Sequence, residues 1–403
     1  MSSALPVVID LSAVPPQPGG VGTYARELLR CLPDAGIDPI AVSRVGDERK
    51  WDGARQVLRL APAPRPLRLV WEQLRMVPAV RRTLTDTGLH KVLPTVLPTV
   101  LHSPHYTMPL HLGARWRPAR VVTIHDLTFY TRPQDHTRSK RTVFRFAIER
   151  AVRDSDAIIA VSAATANHLE RLLPVRSTLH VIPHGIDHER FTPCADTSEQ
   201  ASDRAILDVL GVPDQYLLHL GTIEPRKNIA GLVAAYAEVL RRWTRHDEPP
   251  ALVLAGGAWP GVWESLRPAV AEICDRWRQA RIVRTGPVED DALAPLYRQA
   301  VAVLYPSFEE GFGLPILEAL ACGARVITSC DTVMHDIAGD VAIAVDSTDP
   351  TSIAQGIEVA IDEANGPRRD GLLDRSAAGV AVAAPYRWSQ CARAHAEVYR
   401  ALG

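Results

Sequence analysis

Two glutamates eight positions apart frame a glycine-rich stretch and could together hold a hydroxyl-bearing ligand. The stretch is EEGFGLPILEALACG, in which the carboxylates are Glu310 and Glu318, and it follows the apolar run VAVLYPS. A helix that begins near Gly313 or Leu314 would carry Glu318 about one turn inside it, with Glu310 in the loop before it. Ionised carboxyl oxygens accept hydrogen bonds, so a pair at two depths suits vicinal hydroxyl groups.

The same stretch offers backbone donors to an anion. The N–H groups of Gly311, Phe312, Gly313 and Leu314 would point out of the helix N-terminus, where the helix dipole favours negative charge. Glycines lack the side chains that would keep a phosphate at a distance. Many helices have an acidic first turn, so the motif gains its specificity from the glycines, the proline and the preceding strand.

A pair of cations follows another apolar run, YLLHL. The segment GTIEPRKN places Arg226 and Lys227 after the first strand of the second half of the chain, and open α/β sheets bind ligands at the carboxyl ends of their strands. Arginine is a planar fork and lysine a compact point charge, and the two suit a departing diphosphate. A salt bridge within the loop is an equally good interpretation of these two residues alone.

Two further motifs lie in the first half. Gly19-Gly20-Val-Gly22 opens a predicted helix and could bind an anion, although a Gly-Gly turn is more often only a turn and the motif is not G-x-G-x-x-G. His125 follows the strand VVTI, where its ring nitrogens could hydrogen-bond a sugar hydroxyl. A structural histidine is at least as common at such a position.

The elements that must position these residues are alternating strands and helices. Apolar runs separated by helical patterns predict buried parallel strands with crossover helices in both halves. The predicted strands are 6–10, 121–124, 157–161 and 179–182, then 216–220, 251–255, 281–285, 301–305, 325–329 and 341–345. The predicted fold class is therefore α/β, with two Rossmann-like sheets.

The domain boundary is placed after Ile182, where a polar, turn-rich stretch interrupts the periodicity. The predicted domains are 1–190 and 191–384, and 385–403 forms a terminal helix. The sequence leaves open whether that helix packs back toward the N-terminal domain. A length of 403 residues also favours two domains over one.

Composition excludes several classes of protein. Hydrophobic residues make up 46% and charged residues 23%, and the net charge of -1 gives no attraction to nucleic acid. The six cysteines lack C-x-x-C spacing, which argues against a zinc site and for reduced thiols. The chain shows neither a signal peptide nor a run of about 18 uncharged apolar residues. We therefore expect a cytoplasmic protein.

The segment 55–82 is a candidate contact with the inner face of a membrane. It interleaves arginines with Leu, Val, Trp71 and Met76, a pattern that suits a surface against anionic lipid. A solvated helix whose apolar face packs on the core is the more common cause of such a pattern.

Seven motifs, in their order and spacing, resemble the GT-B glycosyltransferases of family 4. They are GGVGTYARELLRCL, TIHDLTF, SDAIIAVSAATANHL, VIPHGID, GTIEPRKN, RTGPVEDDALAPLY and EEGFGLPILEALACG, and the match runs from about Val7 to Ser329. The GTIEPRKN form is similar to a mannosyltransferase-type branch seen in bacterial polysaccharide and glycolipid assembly. The resemblance implies two Rossmann-like domains facing across a cleft, retention of anomeric configuration, and no required metal or cofactor.

The resemblance also implies roles for single residues. Glu318 would hold the donor ribose, and Glu310 would hold the transferred sugar near its C3 hydroxyl. Arg226 and Lys227 would bind the diphosphate. The groups that would help them are Gly20 and the amides of Phe312 and Gly313.

Two implied contacts lie elsewhere in the chain, and two positions depart from the family pattern. His125 would meet the C6 hydroxyl side of the sugar, and the Val288 backbone would contact the base. Thr222 stands where many members have an arginine, which leaves one fewer cation for the phosphates. His184 stands where many have an asparagine, a change that we expect to alter only a turn.

The predicted function is retaining transfer of a hexosyl group, with mannosyl as the first candidate, from a nucleotide diphosphate sugar to a hydroxyl group. The acceptor is left open among glycans, glycolipids and small molecules, and GDP-mannose is the first candidate donor beside UDP- and dTDP-sugars. Front-face attack is the preferred route, since no pair of residues stands out as a double-displacement nucleophile. The alternatives are a catalytically silent GT-B protein and an NAD-dependent oxidoreductase, which would need a G-x-G-x-x-G loop.

Overall fold

The computed structural model of the chain describes residues 4–14, 19–49, 51–86, 98–109, 116–278, 280–365 and 374–403. It contains two compact units. The first comprises Met1–Gly185 and Tyr386–Gly403, and the second comprises Ile186–Pro385.

Seven strands form the sheet of the first unit. They are β1 (Leu5–Asp10), β2 (Ile37–Arg44), β3 (Gln56–Ala61), β4 (Val100–Ser103), β5 (Ala119–Ile124), β6 (Ala157–Ala160) and β7 (Thr178–Val181). Their order is β3-β2-β1-β4-β5-β6-β7, and each neighbouring pair is parallel. The central strands are buried runs of apolar residues, as expected of a sheet covered on both faces.

The helices of the first unit cover this sheet. They are α1 (Gly20–Cys31), α2 (Arg65–Leu74), α3 (Met76–Asp86), α4 (Thr128–Thr131), α5 (Arg138–Asp154) and α6 (Ala163–Leu172). Helix α3 packs its apolar side chains in one core cluster with Val8, Val42 and Leu101 of the sheet. Tyr24 of α1 forms a hydrogen bond with Thr123 of β5. Thr123 alternates with Val122 and Ile124 along the strand, so its side chain points to the face of the sheet opposite theirs.

The segment 55–82 combines one strand with two helices. It contains β3, α2 and α3. The apolar face of α3 packs on the core, as one of the two interpretations expected, and Trp71 of α2 packs against the same cluster. In helix α2 two polar side chains, Arg68 and Glu72, are buried at 8% and 1% exposure, whereas three apolar side chains are exposed. These are Leu67 at 60%, Val70 at 58% and Leu74 at 46% exposure.

The second unit repeats the architecture with six strands. They are β8 (Tyr216–Leu220), β9 (Ala251–Ala255), β10 (Ile282–Gly286), β11 (Ala302–Tyr305), β12 (Val326–Ser329) and β13 (Ile343–Val345). The order is β10-β9-β8-β11-β12-β13, again all parallel. All six were predicted, and the expected α/β class with two Rossmann-like sheets is confirmed.

In the second unit, helix α7 precedes these strands and the other helices lie between and after them. They are α7 (Thr197–Val209), α8 (Ile229–Arg242), α9 (Val262–Arg276), α10 (Leu293–Gln299), α11 (Leu314–Ala321), α12 (Val333–Ala338), α13 (Pro350–Asn365) and α14 (Arg375–Ala383). Asp196 caps α7 by accepting from the N–H groups of Ser198 and Glu199, which satisfies donors at the helix start.

The last helix, α15 (Trp388–Leu402), belongs to the first unit and contacts α1. Its buried face includes Trp388, Cys391, His395 and Tyr399, as the spacing of these residues predicts. Within the described parts of the chain, no helix has the length and apolar character needed to cross a membrane.

Candidate functional site

The predicted cations and Glu310 meet at the centre of the second sheet. Strands β8 and β11 are neighbours, and the chain leaves them toward opposite sides of the sheet. Such a switch point, at the carboxyl ends of the strands, is where open α/β sheets bind ligands. The loop after β8 carries Arg226 and Lys227, and the loop after β11 carries Glu310.

Arg226 is held by acceptors from both loops. Its Nη1 forms an ion pair with Glu310 Oε2 and donates to the Glu309 carbonyl at 3.1 Å. Its Nη2 lies 2.9 Å from Glu224 Oε1. The Phe308 N–H donates to the Arg226 carbonyl at 2.8 Å, so the two loops are joined by backbone as well as by charge.

Glu310 stays ionised. Burial alone would raise its pKa, but the charges of Arg226 and Lys227 outweigh burial and lower the pKa of Glu310 below its ordinary value. Ser307 Oγ donates to Glu310 Oε1 at 3.4 Å. The carboxylate is thus held toward the two cations and stays able to accept from hydroxyl groups.

Gly221 makes room for Lys227, which is only 8% exposed. A Cβ atom at Gly221 would lie 2.6 Å from Lys227 Nζ, and the Gly221 φ of +153° lies in the region that favours glycine. The backbone conformation therefore favours glycine at the start of GTIEPRKN, and the absence of a side chain leaves room for the ammonium group.

His219 is a site residue that sequence analysis missed. It is fully buried in β8, its Nδ1–H donates to the Leu304 carbonyl at 3.0 Å, and its Nε2 has no hydrogen-bond partner among the described residues. Burial, then Lys227, lower its pKa to about 3, so the ring is neutral. The signal in the sequence was a polar residue inside the otherwise apolar strand YLLHL.

Asn228, also missed, anchors the end of the cationic loop. Its φ of 55° is left-handed, which asparagine tolerates better than most residues. Its Oδ1 accepts from the Gly231 N–H at 3.2 Å and caps α8, and its Nδ2 donates to the Ser347 carbonyl at 2.7 Å. These two hydrogen bonds therefore fix the backbone where the loop ends, directly after Lys227.

Helix α11 begins at Leu314, as predicted, with Gly313 as its N-cap at φ 105°. Glu318 lies within the second turn, where Tyr297 Oη donates to its Oε2 at 2.9 Å. Burial raises the pKa of Glu318 to about 7, against the opposing effect of Tyr297. Glu318 therefore titrates close to neutral pH.

A buried tyrosine links the two carboxylates electrostatically. Tyr305 ends β11, and its hydroxyl donates to the Leu220 carbonyl. Burial raises the pKa of Tyr305 well above its ordinary value; Tyr297 opposes this, and the charges of both Glu318 and Glu310 add to it. The structure thus brings Arg226, Lys227 and Glu310 together, with Glu318 within electrostatic range of the same tyrosine.

The remaining predicted residues are distributed over both units. Gly311, Phe312, Gly313 and Leu314 form the turn into α11, and Val288 follows β10. Gly20 and His125 belong to the first unit, Gly20 as the first residue of α1 and His125 directly after β5.

His125 is held in one tautomer. Its Nε2 lies 2.9 Å from the Pro104 carbonyl, which can only accept, so Nε2 carries the proton and Nδ1 keeps its lone pair. Burial lowers the pKa of His125 to about 4. The ring is neutral at physiological pH and presents Nδ1 as an acceptor for a hydroxyl group.

His184 does more than alter a turn, which corrects the expectation from sequence. Its ring lies 4.7 Å from the ring of Tyr24, 5.4 Å from that of His125 and 5.8 Å from that of Trp388. Burial lowers its pKa well below the ordinary value. His184 is thus part of the packing around His125.

A buried hydrogen-bond chain supports the same cluster, and its proton positions follow from one carbonyl. Cys391 O accepts from His395 Nδ1 at 2.8 Å, so His395 Nε2 must accept from Tyr24 Oη, also at 2.8 Å. The distances along the rest of the chain are 2.9 Å from Tyr24 Oη to Thr123 Oγ1, 2.8 Å from Thr123 Oγ1 to His102 Nε2, and 2.7 Å from His102 Nδ1 to Tyr399 Oη.

Comparison with known proteins yields two family matches. Residues 18–190 match the sequence model of Glycosyltransferase Family 4, and residues 214–363 match that of Glycosyl transferases group 1.

Two curated relatives align over much of the chain. The O-antigen chain mannosyltransferase B of Escherichia coli is 29% identical over 75% of this chain and 74% of its own length. A D-inositol 3-phosphate glycosyltransferase of Xylanimonas cellulosilytica is 32% identical over 62% of this chain, and the alignment spans 58% of that relative.

Solved structures share the whole fold. A sucrose-phosphate synthase from Thermosynechococcus elongatus matches with a TM-score of 0.75 at 21% identity, covering 99% of both chains. A glycosyltransferase from Rickettsia africae matches with a TM-score of 0.68 at 17% identity, covering 99% of this chain and 98% of that one.

Proposed function

The chain belongs to the group 1 glycosyltransferases of family 4, and we propose that it transfers a hexosyl group, with retention, from a nucleotide diphosphate sugar to a hydroxyl group. The observation that carries this proposal is the junction of Arg226, Lys227 and Glu310 at the β8/β11 switch point. Two cations beside a carboxylate suit a ligand that joins a diphosphate to a polyol.

In this proposal the second unit holds the donor. Arg226 and Lys227 neutralise the diphosphate, with the amides of the turn from Gly311 to Leu314 as further donors. Glu310, which is ionised, accepts from hydroxyls of the sugar, and Glu318 accepts from the ribose. Val288 contacts the base, and Gly20 assists at the phosphates.

The reaction follows from where charge develops. As the bond from sugar C1 to the diphosphate oxygen breaks, negative charge grows on the leaving group, and the two cations stabilise it. The acceptor oxygen bonds C1 on the same face, and its proton passes to an oxygen of the departing diphosphate. His125 Nδ1 accepts from a hydroxyl of the sugar.

The mannosyl group and GDP-mannose are the preferred donor chemistry, supported by the name of the Escherichia coli relative. The inositol phosphate relative keeps other acceptors and sugars in view. A thermal-shift panel of GDP-, UDP- and dTDP-sugars tests this choice, since a ligand that binds the folded state raises its melting temperature.

Two variants test the site itself. Lys227→Ala and Glu318→Ala should weaken donor binding and transfer while leaving the protein folded, whereas Arg241→Ala should leave both unchanged. Arg241 pairs with Glu238 on the exposed surface of α8, so it matches the charge removed at Lys227. Donor affinity by calorimetry that matches the unaltered protein in both site variants contradicts the proposal.

The exposed apolar side chains of helix α2 support a peripheral contact with an anionic membrane. Leu67, Val70 and Leu74 project an apolar stripe into solvent, and the only acidic residue in 55–82, Glu72, is buried. The exposed charges of the segment are therefore all positive, which complements anionic lipid.

Vesicle co-sedimentation tests this contact. Binding to phosphatidylglycerol vesicles should exceed binding to phosphatidylcholine vesicles, and Leu67→Gln combined with Val70→Gln should abolish the difference. Val209→Gln is the control, because Val209 is 88% exposed in the second unit. Equal loss in the control, or no lipid preference in the unaltered protein, rules the contact out.

A further inference from the structure

The first unit has its own switch point, between β1 and β4. Strand β1 is flanked by β2 on one side and β4 on the other, so the chain leaves the middle of the sheet in both directions. Asp10 ends β1 and Ser103 ends β4. The place corresponds to that of the Arg226 cluster in the second sheet, and crevices at such points bind ligands.

Four buried polar atoms at this point lack a hydrogen-bond partner among the described residues. They are Asp10 Oδ2, Ser12 Oγ, Ser103 Oγ and His105 Nε2. The exposure of these residues is 0% for the first three and 7% for His105. An unpartnered buried polar atom costs about 1–3 kcal/mol, so four at one place indicate that a group other than the described residues supplies partners.

The hydrogen-bonding character of each atom can be assigned. Asp10 Oδ1 accepts from the Ser12 N–H at 2.9 Å, which leaves Oδ2 as an acceptor. His105 Nδ1 accepts from the Thr107 N–H at 3.3 Å, a group that can only donate. Burial lowers the pKa of His105 and keeps the ring neutral, so its Nε2 carries the proton and is a donor.

Helix α2 places Glu72 and Arg68 within electrostatic range of these residues. Glu72 hydrogen-bonds Thr107 and lies within electrostatic range of Asp10, and burial followed by Asp10 raises its pKa to about 8. Glu72 is therefore largely protonated at neutral pH. Arg68 Nη1 donates to the Ala63 carbonyl at 3.1 Å, so this guanidinium is engaged within its own unit.

We propose that the Asp10 cluster, consisting of Asp10, Ser12, Ser103 and His105, binds hydroxyl groups of the acceptor and selects an uncharged polyol over a phosphorylated one. A sugar hydroxyl both donates and accepts, which matches a carboxylate acceptor beside an N–H donor and two hydroxyls. A phosphate oxygen can only accept and would oppose the Asp10 carboxylate. The identification of the ligand as the acceptor substrate rests on the proposed function, whereas the preference for an uncharged polyol does not.

The test measures binding without catalysis. Saturation-transfer NMR on the full chain, without nucleotide, uses methyl α-D-mannopyranoside and myo-inositol as uncharged probes and mannose 6-phosphate as the charged probe. At least one uncharged probe should bind, and more tightly than mannose 6-phosphate. Asp10→Asn and Ser103→Ala should each weaken it, Asp10→Asn by about tenfold or more because a charge-assisted bond is lost.

Ser43→Ala is the matched control. Ser43 is also fully buried with an unpartnered Oγ and lies in the neighbouring strand β2. It follows Val42, which packs in the same cluster as Val8 and Leu101, so Ser43 faces the other side of the sheet. Its loss should leave probe binding unchanged. Arg241→Ala, on the exposed surface of α8 in the other unit, should also leave it unchanged.

Each outcome has one meaning. The inference is overturned if neither uncharged probe binds, if mannose 6-phosphate binds more tightly, or if binding is unaltered in both Asp10→Asn and Ser103→Ala. If probe binding behaves as expected but no nucleotide sugar binds the second unit, the proposed function fails while the polyol site stands. If a nucleotide sugar binds the second unit but the uncharged probes do not behave as expected, the polyol site fails while the proposed function stands.

Discussion

Arg226 and Glu310, 84 positions apart in the chain, form an ion pair across two loops, and Glu224 holds the other end of the same guanidinium at 2.9 Å. The arginine assigned to the diphosphate is thus already opposed by two carboxylates, with Lys227 as the adjacent cation. Glu310 therefore has two roles in our proposal: it orients Arg226 and it accepts from the sugar.

Glu310→Gln separates these two roles. Transfer should fall by about 10- to 100-fold, since a charge-assisted hydrogen bond to the sugar is lost. Affinity for the nucleoside diphosphate alone should stay equal or increase, because Arg226 is released from one carboxylate. Calorimetric titration with GDP and UDP, beside a transfer assay, measures both. A parallel loss of diphosphate affinity would mean that Glu310 acts only by holding the loop, and Glu238→Gln on α8 serves as the control.

Donor binding should depend on pH through Glu318. Its pKa of about 7 places ionisation near neutrality, and the ionised carboxylate is the stronger hydrogen-bond acceptor for hydroxyl groups. Affinity should therefore increase as the pH rises from about 6 to about 8, and Glu318→Gln should remove this dependence. Tyr297→Phe deletes the hydrogen bond that lowers this pKa, so the rise should move to higher pH. An unaltered profile in Glu318→Gln would assign the titration to another group.

Tyr24→Phe should destabilise the first unit. The change deletes the hydroxyl between Thr123 and His395 and leaves His395 Nε2 as a buried acceptor without its donor, at a cost of about 1–3 kcal/mol. Urea unfolding measures the change. In a His395→Leu background the same substitution should cost much less, since the orphaned acceptor is gone. Equal costs in both backgrounds would disprove the coupling.

Glu72 should make the stability of the first unit depend on pH. Its pKa is raised on folding to about 8 from an ordinary value of 4.5. The stability that protonated Glu72 contributes is fully present below its pKa in the unfolded chain. It is lost as the pH rises through its pKa in the folded protein. Glu72→Gln should therefore melt at a higher temperature than the unaltered protein at pH 8 and similarly at pH 4.5. If the difference in melting temperature between Glu72→Gln and the unaltered protein is the same at pH 4.5 and pH 8, the pKa of Glu72 is not raised on folding.

Sequence alone determined the architecture of the second unit and the identity of its charged residues. All six strands there are apolar runs bounded by turn residues, and the GTIEPRKN and EEGFGLPILEALACG motifs follow two of them. These signals are local, because strand and helix periodicity depend on neighbours in sequence. The start of α11 at Leu314 was predictable for the same reason.

Only the tertiary structure decided which groups neutralise one another and which polar atoms remain unpaired. The Arg226–Glu310 pair joins residues 84 positions apart, and His184 reaches Trp388 only because α15 packs on the first unit. The burial of Glu72 in α2 could not be deduced from the sequence either, because Glu72 interacts with Asp10 and Thr107, which are distant in sequence. Periodicity shows that a helix has two faces, but the choice of the buried face is made by whatever it packs against.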